Sequence, residues 1–186
     1  MAAAGIPIER GLYSWEIQEA RRVFGNALVY SQVRVRECAE WPNTIRRLGC
    51  WLQHTPYTGV PNAITIGNTC YFPLRLLDTL VPLDHPERYK LAWLIHELTH
   101  AWQYQQMGWS YLVKAIYSQV SQGARADDFG GETGLSAALQ NGKTLSSFSL
   151  EQQGDICRTY YERLCSSADV TAWRPYIAEI QQTGAR

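Results

Sequence analysis

His96, Glu97 and His100 stand in the five-residue stretch His96-Glu97-Leu98-Thr99-His100, an HExxH motif. On a helix, residues four apart share a face, so both imidazoles reach one metal ion. The glutamate projects about 100° around the helix from the first histidine, beside the metal's open position rather than on the metal. A zinc ion there lowers the pKa of its water toward ~7, and Glu97 is placed to take the proton. That chemistry is the hydrolysis of an acyl bond by activated water. The chain has four histidines, and two of them lie in this motif.

The motif requires a helix to carry it. Asp84 and Glu87 have capping-box spacing and Pro86 falls in the first turn. Gly108 follows as a stop. Leu91, Leu94, Ile95, Leu98, Ala101 and Trp102 recur at helical spacing, which predicts a mostly buried helix over about 85–107. Buried histidines and a buried glutamate are costly unless paired or metal-bound.

A catalytic zinc takes three protein ligands, so one more is needed. Glu132, Asp127, Asp128, His85, His54, Cys50 and Glu151 are all of suitable type. The segment Ser149-Leu150-Glu151-Gln152-Gln153-Gly154-Asp155-Ile156 is the best placed. Ser149 and Gln152 have capping-box spacing, so a helix starts there, with Glu151 in its first turn and Asp155 one turn on along the same face. A glutamate on the metal and an aspartate receiving the outer N–H of a ligand histidine would complete such a site.

The remaining elements are short. Residues 13–24 read as a helix through Ile17, Ala20 and Phe24. Residues 32–37 alternate as a half-buried strand, and 63–67 and 70–72 read as strands around a turn at Asn68. A further helix is expected over about 110–121. Residues 122–148, rich in Gly, Asp, Ser and Ala, form either a cleft wall or an unstructured insertion, with a helical candidate at 133–140.

The 186 residues fit one domain over 1–186. Seventeen basic and seventeen acidic residues cancel, which removes the electrostatic case for nucleic acid or an anionic membrane. No apolar run approaches the roughly 18–20 residues of a membrane span. The opening MAAAGIPIERGLYSWE lacks the basic and apolar regions of a signal peptide. Cys38, Cys50, Cys70, Cys157 and Cys165 include no CxxC pair, so they read as small buried hydrophobes. An oxidising compartment would allow a disulfide among Cys38, Cys50 and Cys70.

HExxH followed by ExxxD resembles the gluzincins, the thermolysin-like zinc peptidases. The resemblance implies His96, His100 and Glu151 as ligands of one zinc, Glu97 as general base and Asp155 behind a ligand histidine. It implies a small thermolysin-like α+β fold, mostly helical, with a short sheet packed on the HExxH helix. It also implies an oxyanion-stabilising side chain, for which Tyr160, Tyr161, Tyr111, Tyr117 and His85 are candidates. Peptide deformylases join an upstream cysteine, here Cys50, to HExxH, but their other motif is absent.

Ala20-Arg21-Arg22-Val23-Phe24-Gly25, the run from Leu94 through His100-Ala101-Trp102-Gln103-Tyr104-Gln105, and Glu151-Gln152-Gln153-Gly154-Asp155-Ile156 narrow this further. Their order is similar to metallopeptidase-like domains found with bacterial contractile injection systems, including those fused to type VI secretion spike and Rhs proteins. That likeness spans roughly residues 13–165. It implies an effector exported without a classical signal and acting in a recipient cell, in the periplasm or a host cytosol. Its partners would be a peptide or protein substrate, an immunity protein and the spike. No spike module is present, so the chain is a free-standing cargo or an excised domain. Gly154 is the small residue the likeness expects, and it should loosen its helix turn. The rival reading is a non-catalytic zinc-containing component or carrier of an injection particle.

Overall fold

A computed structural model describes residues 7–42, 62–108 and 128–184. The architecture is α+β, about half helical, with one small sheet. In chain order the elements are β1 (Ile8–Arg10), α1 (Ser14–Phe24), β2 (Arg34–Glu37), β3 (Ile64–Ile66), β4 (Thr69–Tyr71), α2 (Tyr89–Met107), α3 (Gly131–Gln140), α4 (Leu150–Cys165) and α5 (Arg174–Gln182). Short 3-10 turns occupy Tyr30–Gln32 and Leu145–Ser147.

The sheet runs β1-β2-β4-β3. β1 and β2 are antiparallel, β2 and β4 parallel, and β3 and β4 an antiparallel hairpin. Val35 and Thr65 both register with Cys70, and all three are buried. This row faces α2, where the Thr65 hydroxyl reaches the backbone carbonyl of Glu97 at 3.2 Å. β1 is anchored by charge: Arg10 pairs with buried Glu16 of α1 at 2.7 Å and buried Glu37 of β2 at 2.8 Å. Two buried carboxylates sharing one guanidinium explain how three residues hold as a strand.

α2 is the central element. Leu91, Leu94, Ile95, Leu98 and Ala101 are at most 2% exposed, so the helix is sunk between the sheet and α4. It begins later than the expected 85, at Tyr89, and Asp84 does not cap it. Glu87 pairs instead with Lys90, and residues 84–88 form turns. At the other end Gly108 takes φ 61°, and its N–H closes on the Tyr104 carbonyl at 2.7 Å. That left-handed conformation suits glycine.

α4 starts at the expected cap. Ser149 Oγ accepts from the Gln152 N–H at 3.1 Å, and Gln152 Oε1 accepts from the Ser149 N–H at 2.9 Å. Ser149→Ala should cost about 1 kcal/mol. Chemical denaturation checks this, and an unchanged midpoint would mean that packing alone sets the start of α4. The helix runs unbroken through Gly154, so the expected loosening at that residue does not occur.

The Gly-rich segment is ordered where described, with α3 covering the helical candidate at 133–140. Cys38, Cys70, Cys157 and Cys165 are free thiols, which removes a Cys38–Cys70 disulfide. Cys50, His54, Tyr111, Tyr117, Asp127 and the helix expected at 110–121 lie outside the described residues.

Candidate metal centre

α2 and α4 bring together His96, His100 and Glu151. His96 Nε2 and His100 Nε2 stand 3.2 Å apart. Glu151 Oε2 is 3.4 Å from the first and 3.5 Å from the second. Two ligand atoms at zinc-like bond lengths and a tetrahedral angle lie about 3.3 Å apart. The three edges therefore match one face of a zinc tetrahedron. Among the described residues no fourth His, Cys, Asp or Glu joins the group. The Glu151 side chain is 32% exposed and those of the two histidines 12% and 6%, so the group opens to solvent on the Glu151 side.

Each imidazole has a second contact behind it. Asp155 Oδ1 lies 3.2 Å from His96 Nδ1 but off the N–H axis, so this buried nitrogen makes no in-line hydrogen bond. Arg158 holds Asp155 from outside at 3.0 Å. His100 Nδ1 meets Gln103 Oε1 at 2.9 Å. Gly154 makes room for His96: a Cβ there would stand 2.7 Å from His96 Cε1 and 2.9 Å from Nδ1.

Glu97 is buried at 4% exposure between α2 and β3. Its Oε2 accepts from Thr65 Oγ1 at 2.7 Å. Its charge raises the proton affinity of both histidines.

The donor set is strongly polarised. Burial alone would lower His96, but the Asp155 and Glu151 carboxylates outweigh it and push His96 up to about 10. His100 is also raised: burial opposes the charged form, and the Glu151 charge prevails. Burial would raise Glu151, yet His100 and His96 hold its carboxyl well below the usual range. Without metal, the His96 contribution to stability is complete below 6.5 and is lost as pH rises through about 10. That of Glu151 is present above 4.5 and lost on acidification. A bound cation must displace the histidine proton. Zinc affinity should therefore rise about tenfold per pH unit for each proton displaced, across neutral pH. Competition with a chelator between pH 6 and 8 measures this; a flat profile would show that the histidines are already neutral.

Other expected residues lie elsewhere. Glu132 is exposed and pairs with Arg163 at 3.3 Å, and Asp128 Oδ1 accepts from the Gly130 N–H, so neither joins the group. His85 Nδ1 accepts from the Glu87 N–H in the turns before α2. The Tyr161 hydroxyl donates to Glu19 at 2.5 Å and accepts from Arg88 at 2.9 Å, on the α1 side. Tyr160 is buried in the core. Thr65, Gln103 and Gln153 carried no sequence expectation as site residues. For Gln103 the available signal was its position three residues beyond His100, on the same helix face.

No family model matches the chain. Over 153 residues, 82% of its length, it is 31% identical to the type VI secretion system spike protein VgrG2b of Pseudomonas aeruginosa, and it spans about 13% of that protein. Among solved structures it is similar to the effector domain of Pseudomonas aeruginosa VgrG2b, at 28% identity and a TM-score of 0.61, covering 90% of this chain and 83% of that one. In sequence and in fold, the chain is thus a relative of a type VI secretion effector domain.

Proposed function

We propose that the chain is a zinc-dependent metallopeptidase domain acting as a type VI secretion effector. The observation that carries this is the triangle of His96 Nε2, His100 Nε2 and Glu151 Oε2, whose edges of 3.2, 3.4 and 3.5 Å suit one tetrahedral zinc. The gluzincin ligand order and a thermolysin-like relation of the sheet to α2 belong to this proposal. Three ligands from the described residues, open on the Glu151 side, fit a catalytic centre better than a closed structural one.

His96, His100 and Glu151 would hold the ion, with Asp155 and Gln103 orienting the imidazoles. A zinc ion so held supplies Lewis acidity toward water and a peptide carbonyl. Glu97 carries the proton. Thr65 occupies its Oε2, so Oε1 takes a proton from the attacking water and returns it to the departing amine. Of the sheet's two edge strands among the described residues, β1 and β3, β3 is the one adjacent to Glu97, and it can pair with an extended peptide. The effector context follows from the VgrG2b relatives. A spike as delivery partner, action in a recipient cell and a cognate immunity protein are part of the same reading.

The test is hydrolysis of an unstructured protein substrate, with fragments read by mass spectrometry. The expected outcome is cleavage that a chelator abolishes and one equivalent of zinc restores. Stoichiometric zinc with no cleavage of any substrate would move the reading to a zinc-containing carrier of the injection particle.

A further inference from the structure

Gln103 is fully buried on α2, three residues past His100. A buried amide is tolerated when its donors and its acceptor are all engaged. Its Nε2 donates to the Leu150 carbonyl at 3.0 Å and to Gln153 Oε1 at 2.9 Å, which uses both hydrogens. Gln153, 7% exposed, donates its own Nε2 to the Phe148 carbonyl at 3.0 Å. Backbone carbonyls only accept, so the orientation of each amide is dictated at its far end. Gln103 therefore has only an oxygen to offer His100. His100 Nδ1 must carry a hydrogen, so when the ring is neutral the lone pair is on Nε2, the nitrogen beside His96 and Glu151.

We propose that Gln103, backed by Gln153, is a positioning residue for the metal centre. It sets the His100 tautomer that leaves Nε2 for zinc, and it fastens α2 to the first turn of α4, which carries Glu151. The assignment rests on the zinc reading above. It gives the two ligand histidines different surroundings, a carboxylate off the N–H axis at His96 and a hydrogen-bonded neutral amide at His100. It also accounts for Gln103 in the run after HExxH and for Gln153 in the EQQ segment, neither of which is a ligand.

The experiment compares zinc affinity, by chelator competition, in the parent chain, Gln103→Met and Gln103→Glu. The stability of each metal-free chain is measured alongside. Methionine keeps the volume and removes the acceptor, so affinity should fall about ten- to a hundredfold. Glutamate keeps an acceptor for His100 but withdraws the donors from Leu150 and Gln153, so it should lose stability and hold zinc near the parent level. Proton NMR of the zinc-loaded chains supplies the spectroscopic signature. A protected downfield His100 Nδ1–H should be present in the parent and Gln103→Glu and should exchange freely in Gln103→Met.

Equal zinc affinity in all three chains overturns the proposal and leaves the metal centre standing. So does an affinity loss in both variants that merely tracks their lost stability. A parent that takes up no zinc overturns the centre and the proposal together. If Gln103→Met does not fold, Gln153→Met removes only the backing amide; a severalfold loss of affinity supports the assignment and none overturns it.

Discussion

On the proposed function, Glu97→Gln should hold zinc as tightly as the parent chain and hydrolyse peptide about a hundred- to ten-thousandfold more slowly, the range expected for loss of a general base. The side chains have the same shape, and the amide oxygen can still accept from Thr65, which now reaches Glu97 Oε2 at 2.7 Å. The ligand triangle does not include Glu97, so metal binding has no reason to fall. What disappears is a group able to hold a proton between water and the leaving amine. The loss should sit in kcat with KM little changed, because the proton moves only in the transition state. Steady-state kinetics on protein of known zinc content is the measurement. Retention of more than about a tenth of the parent rate would remove Glu97 from proton transfer, given the size of general-base effects.

Gly154→Ala has the opposite sign to the one helix propensity suggests. In a helix interior, alanine is favoured over glycine by about 1 kcal/mol. Gly154 lies inside α4 with ordinary helical geometry, so the backbone would accept alanine. The obstacle is lateral, because the new Cβ would stand 2.7 Å from His96 Cε1, 2.9 Å from Nδ1 and 3.0 Å from Nε2. An ordinary contact needs several tenths of an ångström more, so the ring must move. Metal–ligand distances tolerate only about 0.2 Å. The expected result is a metal-free chain that folds and a zinc affinity reduced a hundredfold or more, beyond the effect of losing an outer hydrogen bond. Calorimetric zinc titration of folded Gly154→Ala decides it. Affinity equal to the parent's would show that His96 ligates from another rotamer.

The relation to VgrG2b bears on where such activity would be used. The matching segment is about 13% of a spike protein, and a solved effector domain covers most of this chain. No helix among the described residues is long and apolar enough to cross a membrane.

Local regularities in the sequence were enough to place the HExxH histidines on one helix face. The apolar repeat from Leu91 to Trp102, the stop at Gly108 and the Ser149–Gln152 cap mark α2 and the start of α4 through neighbours within one or two turns. The β3–β4 hairpin was legible in the same way. β1 and α5 were not. Three residues carry no period, and β1 holds through Arg10 and the carboxylates of Glu16 on α1 and Glu37 on β2. In α5, Tyr176, Ile177 and Ile180 are buried in the shared core, but nine residues offer only a brief pattern. The Ser149–Gln152 cap and the ExxxD spacing favoured Glu151 among many carboxylates; the docking of α4 on α2 is what brings it to the two histidines, with Glu132 and Asp128 engaged elsewhere. The same docking gives Gly154 its purpose, engages Gln103 with Gln153 and sends the Tyr161 hydroxyl toward α1. Sequence spacing determines which side chains share a face of one element, because helix and strand geometry repeat over a few residues. Which faces meet across fifty residues is decided by packing, and no local period records it.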